Sequence, residues 1–275
     1  MTLKYYLDTN AVQSLGKRLE GIPINQGVYT SILTCMELLK RMENEDSYRR
    51  KRGPLLHLKN SGIQIDSLPA PFIIWESFRI RKEIPRVFDS FEAIIAVALE
   101  TNSYEMFMLS LRKNNLVEVF DGLKMIFQKG NERFIEGLAQ FNEGGDLATN
   151  RNIFQERWEG DDNRKKRLYE AIKYFAGRQV ESCNQPLVNL LMNYNHSIDL
   201  YMLTCYYYDE MKNFSRELAA DNDGFDLQHL LYVRKGCKLV TDDSTFQKYV
   251  NETVSGTSIG TEQFLNEITN SQINL

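Results

Sequence analysis

Leu3-Lys4-Tyr5-Tyr6-Leu7-Asp8-Thr9-Asn10 is the stretch on which the fold turns. Its first five residues are rich in aromatic and branched side chains, the composition of a sheet strand. From Ala11 to Leu19 the apolar positions Ala11, Val12, Leu15 and Leu19 recur at helical spacing. Asp8 thus stands where a strand ends and a helix follows, the place where open α/β sheets bind ligands. A turn or helix-cap carboxylate is the bland reading of such a residue. A second site of the same kind near the other end of the chain, Lys238-Leu239-Val240-Thr241-Asp242-Asp243, gives the pattern weight.

Working outward, Gly21 to Gly27 is a connector punctuated by Gly and Pro. Val28-Tyr29-Thr30 reads as extended, and Ser31 as the N-cap of a helix through Ile32, Cys35, Met36 and Leu39, with Glu37 at the edge of its buried stripe. Glu43 to Arg52 is highly charged and ends in Arg49-Arg50-Lys51-Arg52, read as a solvated helix face ahead of an RNA-phosphate contact. Gly62 to Asp66 is a strand candidate followed by a Pro-rich turn at Pro69 and Pro71. Helical patterns cover 91–100, 116–127, 134–141, 152–158, 166–175, 187–192 and 198–218, with loops at Gly144-Gly145 and Gly160 to Asn163.

The α/β pattern then returns. Asp223-Gly224-Phe225-Asp226 opens a helix carrying Leu227, Leu230 and Leu231, with Gly236 as its stop. Lys238 to Val240 is a strand, Asp243 to Val250 a short helix, Gly256 to Ile259 a last strand, and Thr261 onward a final helix.

Composition narrows the class. With 275 residues, 43% hydrophobic and 25% charged, the chain can bury a sizeable core. A net charge of -4 argues against avid non-specific nucleic-acid binding. The four cysteines are scattered without a CxxC pair, so neither a zinc cluster nor a disulfide framework is expected, and reduced thiols suit a cytoplasmic location. No signal peptide or membrane-spanning run is evident. His57, His196 and His229 lack the spacing of a triad or zinc site and read as structural or exposed, with His229, three residues after Asp226, as a minor candidate for a supporting role. Tyr206-Tyr207-Tyr208 reads as helix packing before base stacking.

Leu7-Asp8-Thr9-Asn10, the Ser31-to-Glu37 helix, the Asp226 helix, the Thr241-Asp242-Asp243 strand exit and Thr261-Glu262-Gln263-Phe264-Leu265 together resemble the PIN domain, in that family's order. The resemblance covers residues 1–43 and 216–275. It implies a Rossmann-type α/β/α sandwich with a central, mostly parallel sheet, interrupted by a mainly helical insertion over 44–215. It further implies a Mg²⁺- or Mn²⁺-dependent endoribonuclease cleaving single-stranded RNA, with Asp8, Glu37, Asp226 and Asp243 as catalytic and metal-holding acids. Asn10, Thr241, Asp223 and Asp242 are the supporting residues, Asp223 reading as an N-cap and Asp242 as a turn residue. Many members are toxins, so an antitoxin or other inhibitory protein is an expected partner, and a homodimer is compatible with the reading.

The departure from the family is the spacing: Glu37 and Asp226 are 226 − 37 = 189 positions apart, and Asp89 is the rival third acid. The chemistry stands on its own terms. Two carboxylates about 4 Å apart at an effective dielectric near 20 repel by roughly 4 kcal/mol. A cluster of them survives protonated or around a hard cation, and oxygen ligands favour Mg²⁺ or Mn²⁺ over zinc. The competing functions are a PIN-like scaffold that binds RNA or protein without turnover, a DNA-directed nuclease, and a metal-dependent phosphatase.

Overall fold

Tyr6 and Leu7 have no exposed surface and lie on the middle strand of the sheet. The computed structural model describes residues 4–84, 87–123, 125, 129, 151–215 and 223–273. Its five strands are β1 (Tyr5–Leu7), β2 (Val28–Ser31), β3 (Gln64–Asp66), β4 (Lys238–Val240) and β5 (Ser258–Ile259). They form one sheet in the order β3-β2-β1-β4-β5, and every pairing is parallel. The register sets Tyr5 beside Val28 on one side and Lys238 on the other. A parallel sheet is normally covered on both faces, and the strands agree: Tyr29, Leu239 and Val240 are fully buried as well. The chain is α/β with an all-parallel sheet.

Each central strand delivers a side chain that starts the next helix. Asp8 Oδ1 accepts the Ala11 N–H at 2.7 Å to cap α1 (Thr9–Leu15). Ser31 Oγ accepts the Thr34 N–H at 3.5 Å at the head of α2 (Ile32–Lys40). The helix after β4 is capped likewise, by Asp243 Oδ1 on the Phe246 N–H at 2.8 Å. Three polar residues therefore gather along the carboxyl edge of neighbouring strands, because a parallel sheet aligns all its strand ends.

α1 is shorter than its apolar spacing suggests. Gly16 takes φ +48, outside the helical region, and the chain continues as a 3₁₀ turn over Gly16–Gly21.

The described residues between 44 and 215 are mainly helical but also supply β3, which pairs with β2 at the sheet's edge. α3 (Glu45–Ser61) begins with a reciprocal cap between Asn44 and Ser47. The basic run on it is not simply a solvated face. Arg49 pairs with Glu45 at 2.6 Å, Lys51 reaches Gln13, and Arg52 binds the Ala98 and Leu99 carbonyls at 3.0 Å each. Arg52 thus closes the carboxyl end of α5 (Val87–Glu100), where a cation is favoured.

The Pro-rich stretch expected to be a turn is the start of a helix, α4 (Ala70–Ser77), with Pro69 at its N-cap and Pro71 in its first turn. α6 (Tyr104–Lys113) has no counterpart in the sequence reading. The predicted helix over 116–127 is seen at 117–123; the one over 134–141 and the Gly144-Gly145 loop lie outside the described residues.

α7 (Arg151–Trp158), α8 (Asp161–Cys183), α9 (Leu187–Asn193) and α10 (Asp199–Ser215) follow. Phe91, Phe107, Phe120 and Tyr201 join the same hydrophobic cluster as the strands. α11 (Asp223–His229), α12 (Ser244–Thr253) and α13 (Thr261–Ile273) complete the chain. α11 stops well before Gly236. Leu230, Leu231, Tyr232 and Val233 make three-residue turns instead, pinned by the Tyr29 hydroxyl, which donates to the Tyr232 carbonyl at 2.6 Å and accepts the Arg234 N–H at 3.1 Å. Among the described residues no helix is long and apolar enough to cross a membrane.

Candidate functional site

Asp8 leaves β1, Glu37 faces it from the last turns of α2, Asp226 comes from α11, and Asp243 leaves β4. These were the four acids expected from sequence. Their charges act on one another: those of Glu37, Asp243 and Asp8 all bear on Asp226. The rival acid, Asp89, is exposed in the first turn of α5 and is not among the charges acting on Asp226.

The four acids are not equivalent. Burial pushes Asp8 up to about 6, against the opposing pull of the His229 charge, the Ala11 N–H and the Thr241 hydroxyl. Burial also lifts Asp226, to about 7, with Glu37, Asp243 and Asp8 adding repulsion against the His229 charge. Glu37 goes the other way. Burial works against its ionisation, but the hydrogen bond and charge of His229, the Thr9 hydroxyl and Lys40 prevail and hold it near 2. Two of the acids carry protons into the neutral range, and a third is anchored as a carboxylate.

The anchor of Glu37 is the feature sequence reasoning underweighted. His229, 1% exposed, sends Nε2 to Glu37 Oε2 at 3.0 Å and Nδ1 to the Tyr6 hydroxyl at 2.6 Å. Tyr6 in turn bonds Ser31 Oγ at 2.7 Å and stacks on Tyr232 with the rings 9° from parallel. The Thr9 hydroxyl donates to the same Glu37 oxygen. Burial alone would lower the imidazole's proton affinity, yet the hydrogen bond and charge of Glu37, with Asp8 and Asp226, raise it. A buried chain Ser31–Tyr6–His229–Glu37–Thr9 therefore runs through the heart of the site. His229 lies three residues after Asp226, on the same helix face, and that spacing was the available signal.

Lys40 was missed altogether. It lies three residues after Glu37, again one helical turn. Its ammonium is 3.9 Å from Glu37 Oε1 and 4.7 Å from the centroid of the Phe225 ring, with the side chain 14% exposed. Burial lowers its proton affinity, offset by Glu37 and Asp226.

The supporting residues sort clearly. Thr241, fully buried, accepts the Asp243 N–H at 3.1 Å and bonds the Asp8 carboxyl. Asp242 turns away to hold the start of α13, accepting the Thr261 N–H at 2.9 Å and the Thr261 hydroxyl at 2.8 Å. Asp223 takes the Tyr208 hydroxyl and sits 3.8 Å from Lys212. Asn10 is half-buried on α1. His57 and His196 lie apart, paired with Glu20 at 2.7 Å and Asp199 at 3.1 Å. Tyr206 bonds Glu170 and Tyr208 is buried, so the tyrosine run is packing.

A small cavity of about 60 Å³ opens between Asp226 and Asp243, walled by Tyr208, Thr245, Phe246 and Tyr249. It has room for a few water molecules beside the two carboxyls. Among the described residues, however, no three His, Cys, Asp or Glu side chains are arranged so that they could hold a metal ion. No family model, curated protein or solved structure matches the chain.

Proposed function

We propose that this chain is a divalent-metal-dependent endoribonuclease of the PIN-like kind, acting on single-stranded RNA. The observation that carries the reading is the convergence of Asp8, Glu37, Asp226 and Asp243 at the carboxyl edge of a parallel sheet, close enough that three of them press on the fourth.

The donor set suits Mg²⁺ or Mn²⁺ in kind. Fully ionised, four carboxylates face the two cations His229 and Lys40, a deficit of two charges that one divalent ion would fill. Asp226 and Asp243, which line one cavity, are the carboxyls placed to touch such an ion, with Glu37 already committed to His229, Thr9 and Lys40. The arrangement does not fit as well as the chemistry, because no three ligands meet on one point among the described residues. A bound ion would lower the pKa of a coordinated water and neutralise charge on the scissile phosphate.

The chain's own contribution is proton handling. In the metal-free site Asp226, with a carboxyl near 7 and open to the cavity, can exchange a proton with water there at neutral pH, and a bound cation would draw that value down. Asp243 is fixed by capping α12, and Thr241 holds Asp8 and Asp243 in relation to each other. Cleavage needs no protein nucleophile.

A second reading draws on the same Glu37 anchor. A site that carries its own cations suits a PIN-like scaffold that binds without turnover. One assay separates the two: labelled single-stranded RNA and DNA, incubated with Mn²⁺ or with EDTA. Cleavage of RNA in Mn²⁺ that stops in EDTA and in Asp226→Asn supports the nuclease; intact RNA under both conditions supports the scaffold; equal cleavage of DNA widens the substrate class.

A further inference from the structure

Away from the acids the described residues enclose a second, much larger opening. A cavity of about 500 Å³ lies where α2, α4, α8, α10 and α11 meet, against about 60 Å³ at Asp226 and Asp243. Ligand pockets measure roughly 300–1,000 Å³ and are mainly apolar, with a few polar groups that fix orientation. Apolar surface held open to water is unfavourable in proportion to its area.

The walls stand on regular elements. Ile32 and Met36, one turn apart on α2, form one side, and Phe225 and Leu231 continue it from α11 and the turns that follow. Pro69 and Pro71 open α4 at the cavity, where their fixed φ angles keep the wall in place, and Ile74 follows one turn later. On α8, Phe175, Arg178 and Gln179 share one face. The Trp75 indole N–H donates to Gln179 Oε1 at 3.1 Å and ties α4 to α8. The space is therefore built into the packing of helices.

Its charge has one sign. Among the described residues lining it, the charged side chains are Arg178 and Lys129, with no Asp or Glu, in a chain whose net charge is -4. Arg178 is exposed, donates Nη1 to the Tyr174 hydroxyl at 3.1 Å, and has no carboxylate partner among the described residues. That bond uses one of five guanidinium donors. The Arg178 charge also bears on Tyr201, 4% exposed in the cavity wall. Gln228, one turn after Phe225, adds an amide to the lining.

We propose that this cavity binds a small amphipathic carboxylate, its hydrocarbon body against Ile32, Met36, Ile74 and Phe225 and its anionic end on the Arg178 guanidinium. A guanidinium matches a carboxylate through two parallel N–H···O bonds. The inference stands apart from the nuclease reading, because none of the four acids lines this cavity. It adjoins them through Met36 and Phe225, the residues just before Glu37 and Asp226.

The test is isothermal titration calorimetry in EDTA with octanoate as the probe, and octanol and octylammonium as its neutral and cationic counterparts. Wild type, Arg178→Gln, Ile74→Trp and Arg112→Gln are compared, with the melting temperature and sedimentation of each ligand-free chain. The expected result is one octanoate per chain at a Kd of about 0.3 mM or tighter, with both counterparts about tenfold weaker or more. Arg178→Gln should weaken octanoate by about tenfold and leave octanol unchanged. Ile74→Trp, which fills the space, should abolish binding, and Arg112→Gln, which removes the same charge from an exposed site on α6, should bind as wild type does. Arg178→Gln alters an exposed residue, so it carries the test if Ile74→Trp melts far lower. No binding of octanoate at about 5 mM, an equal affinity for octanol or octylammonium, or wild-type affinity in Arg178→Gln overturns the proposal. A ligand-free dimer that Ile74→Trp dissociates would give the cavity to a second copy and overturn it as well. RNA cleavage is not a readout here, so failure of the nuclease reading leaves this test intact.

Discussion

Removing His229 should unbalance the site in a way that can be measured without any substrate. His229→Leu keeps an apolar side chain in the space but deletes the partner of Glu37, whose side chain is 6% exposed. Breaking a buried ion pair from one side costs about 3–5 kcal/mol, because a charge is left without its counterion. Glu37 retains the Thr9 hydroxyl and Lys40 at 3.9 Å, and Tyr6 retains Ser31, which places the loss toward the lower end, about 3 kcal/mol. At roughly 2–4 °C per kcal/mol for a chain of this size, the melting temperature should fall by about 6–12 °C. Glu37→Gln in the same background removes the stranded charge. The double variant should therefore melt above His229→Leu, with a coupling of about 1.5 kcal/mol or more between the two sites. Thermal melts by circular dichroism in EDTA provide the measurement. A His229→Leu protein melting within about 2 °C of wild type, or a double variant that simply adds the two single losses, would refute the view that this pair holds the site together.

Three further outcomes follow from the same geometry. Asp8 and Asp226 have folded-state carboxyls raised to about 6 and 7, so their stability contribution is present below the unfolded value near 4 and is lost as pH rises through 6 and 7; metal-free melts should fall between about pH 4 and 7, and Asp226→Asn should flatten that slope. Glu37, held near 2, has the opposite sign: its contribution is full above the unfolded value of about 4.5 and is lost progressively as pH falls from there to about 2. Mn²⁺ at 100 times its dissociation constant should add about 2.7 kcal/mol at pH 7.5 and reverse the decline there, whereas identical melts in Mn²⁺ and EDTA would rule out a cation at these acids. Asp243→Asn should keep the cap on Phe246, since asparagine caps as well as aspartate, yet lose cleavage; Asp242→Asn should weaken the start of α13 and cleave within about tenfold of wild type. Exchanged effects in those two proteins would move the active register from Asp243 to Asp242.

The parts of this architecture that sequence reveals are those written in short-range pattern. Tyr5-Tyr6-Leu7 and Lys238-Leu239-Val240 are apolar enough to be inner strands, and a cap residue follows each, Asp8 at once and Asp243 three residues after Val240, that the structure uses as a cap. What pattern cannot express is the meeting of distant residues. His229 and Lys40 each lie one helical turn from an acid, a spacing that ordinary surface helices share. Only the sheet order, which places β4 beside β1 and β2 on its other flank, turns those offsets into a buried pair with Glu37 at its centre. The basic run 49–52 shows the converse: its charge suggests solvent or phosphate, but Arg52 is used to close α5. Pro69 and Pro71 suggest a turn by composition, but at a helix's first positions proline fits, and there they open α4.

The most direct measurement is anomalous scattering from Mn²⁺ in crystals of the wild-type chain at pH 7.5. A peak in contact with Asp226 and Asp243, with Glu37 still bound to His229, is the result this account predicts. An empty site at saturating Mn²⁺, or an ion held away from these carboxylates, would contradict it.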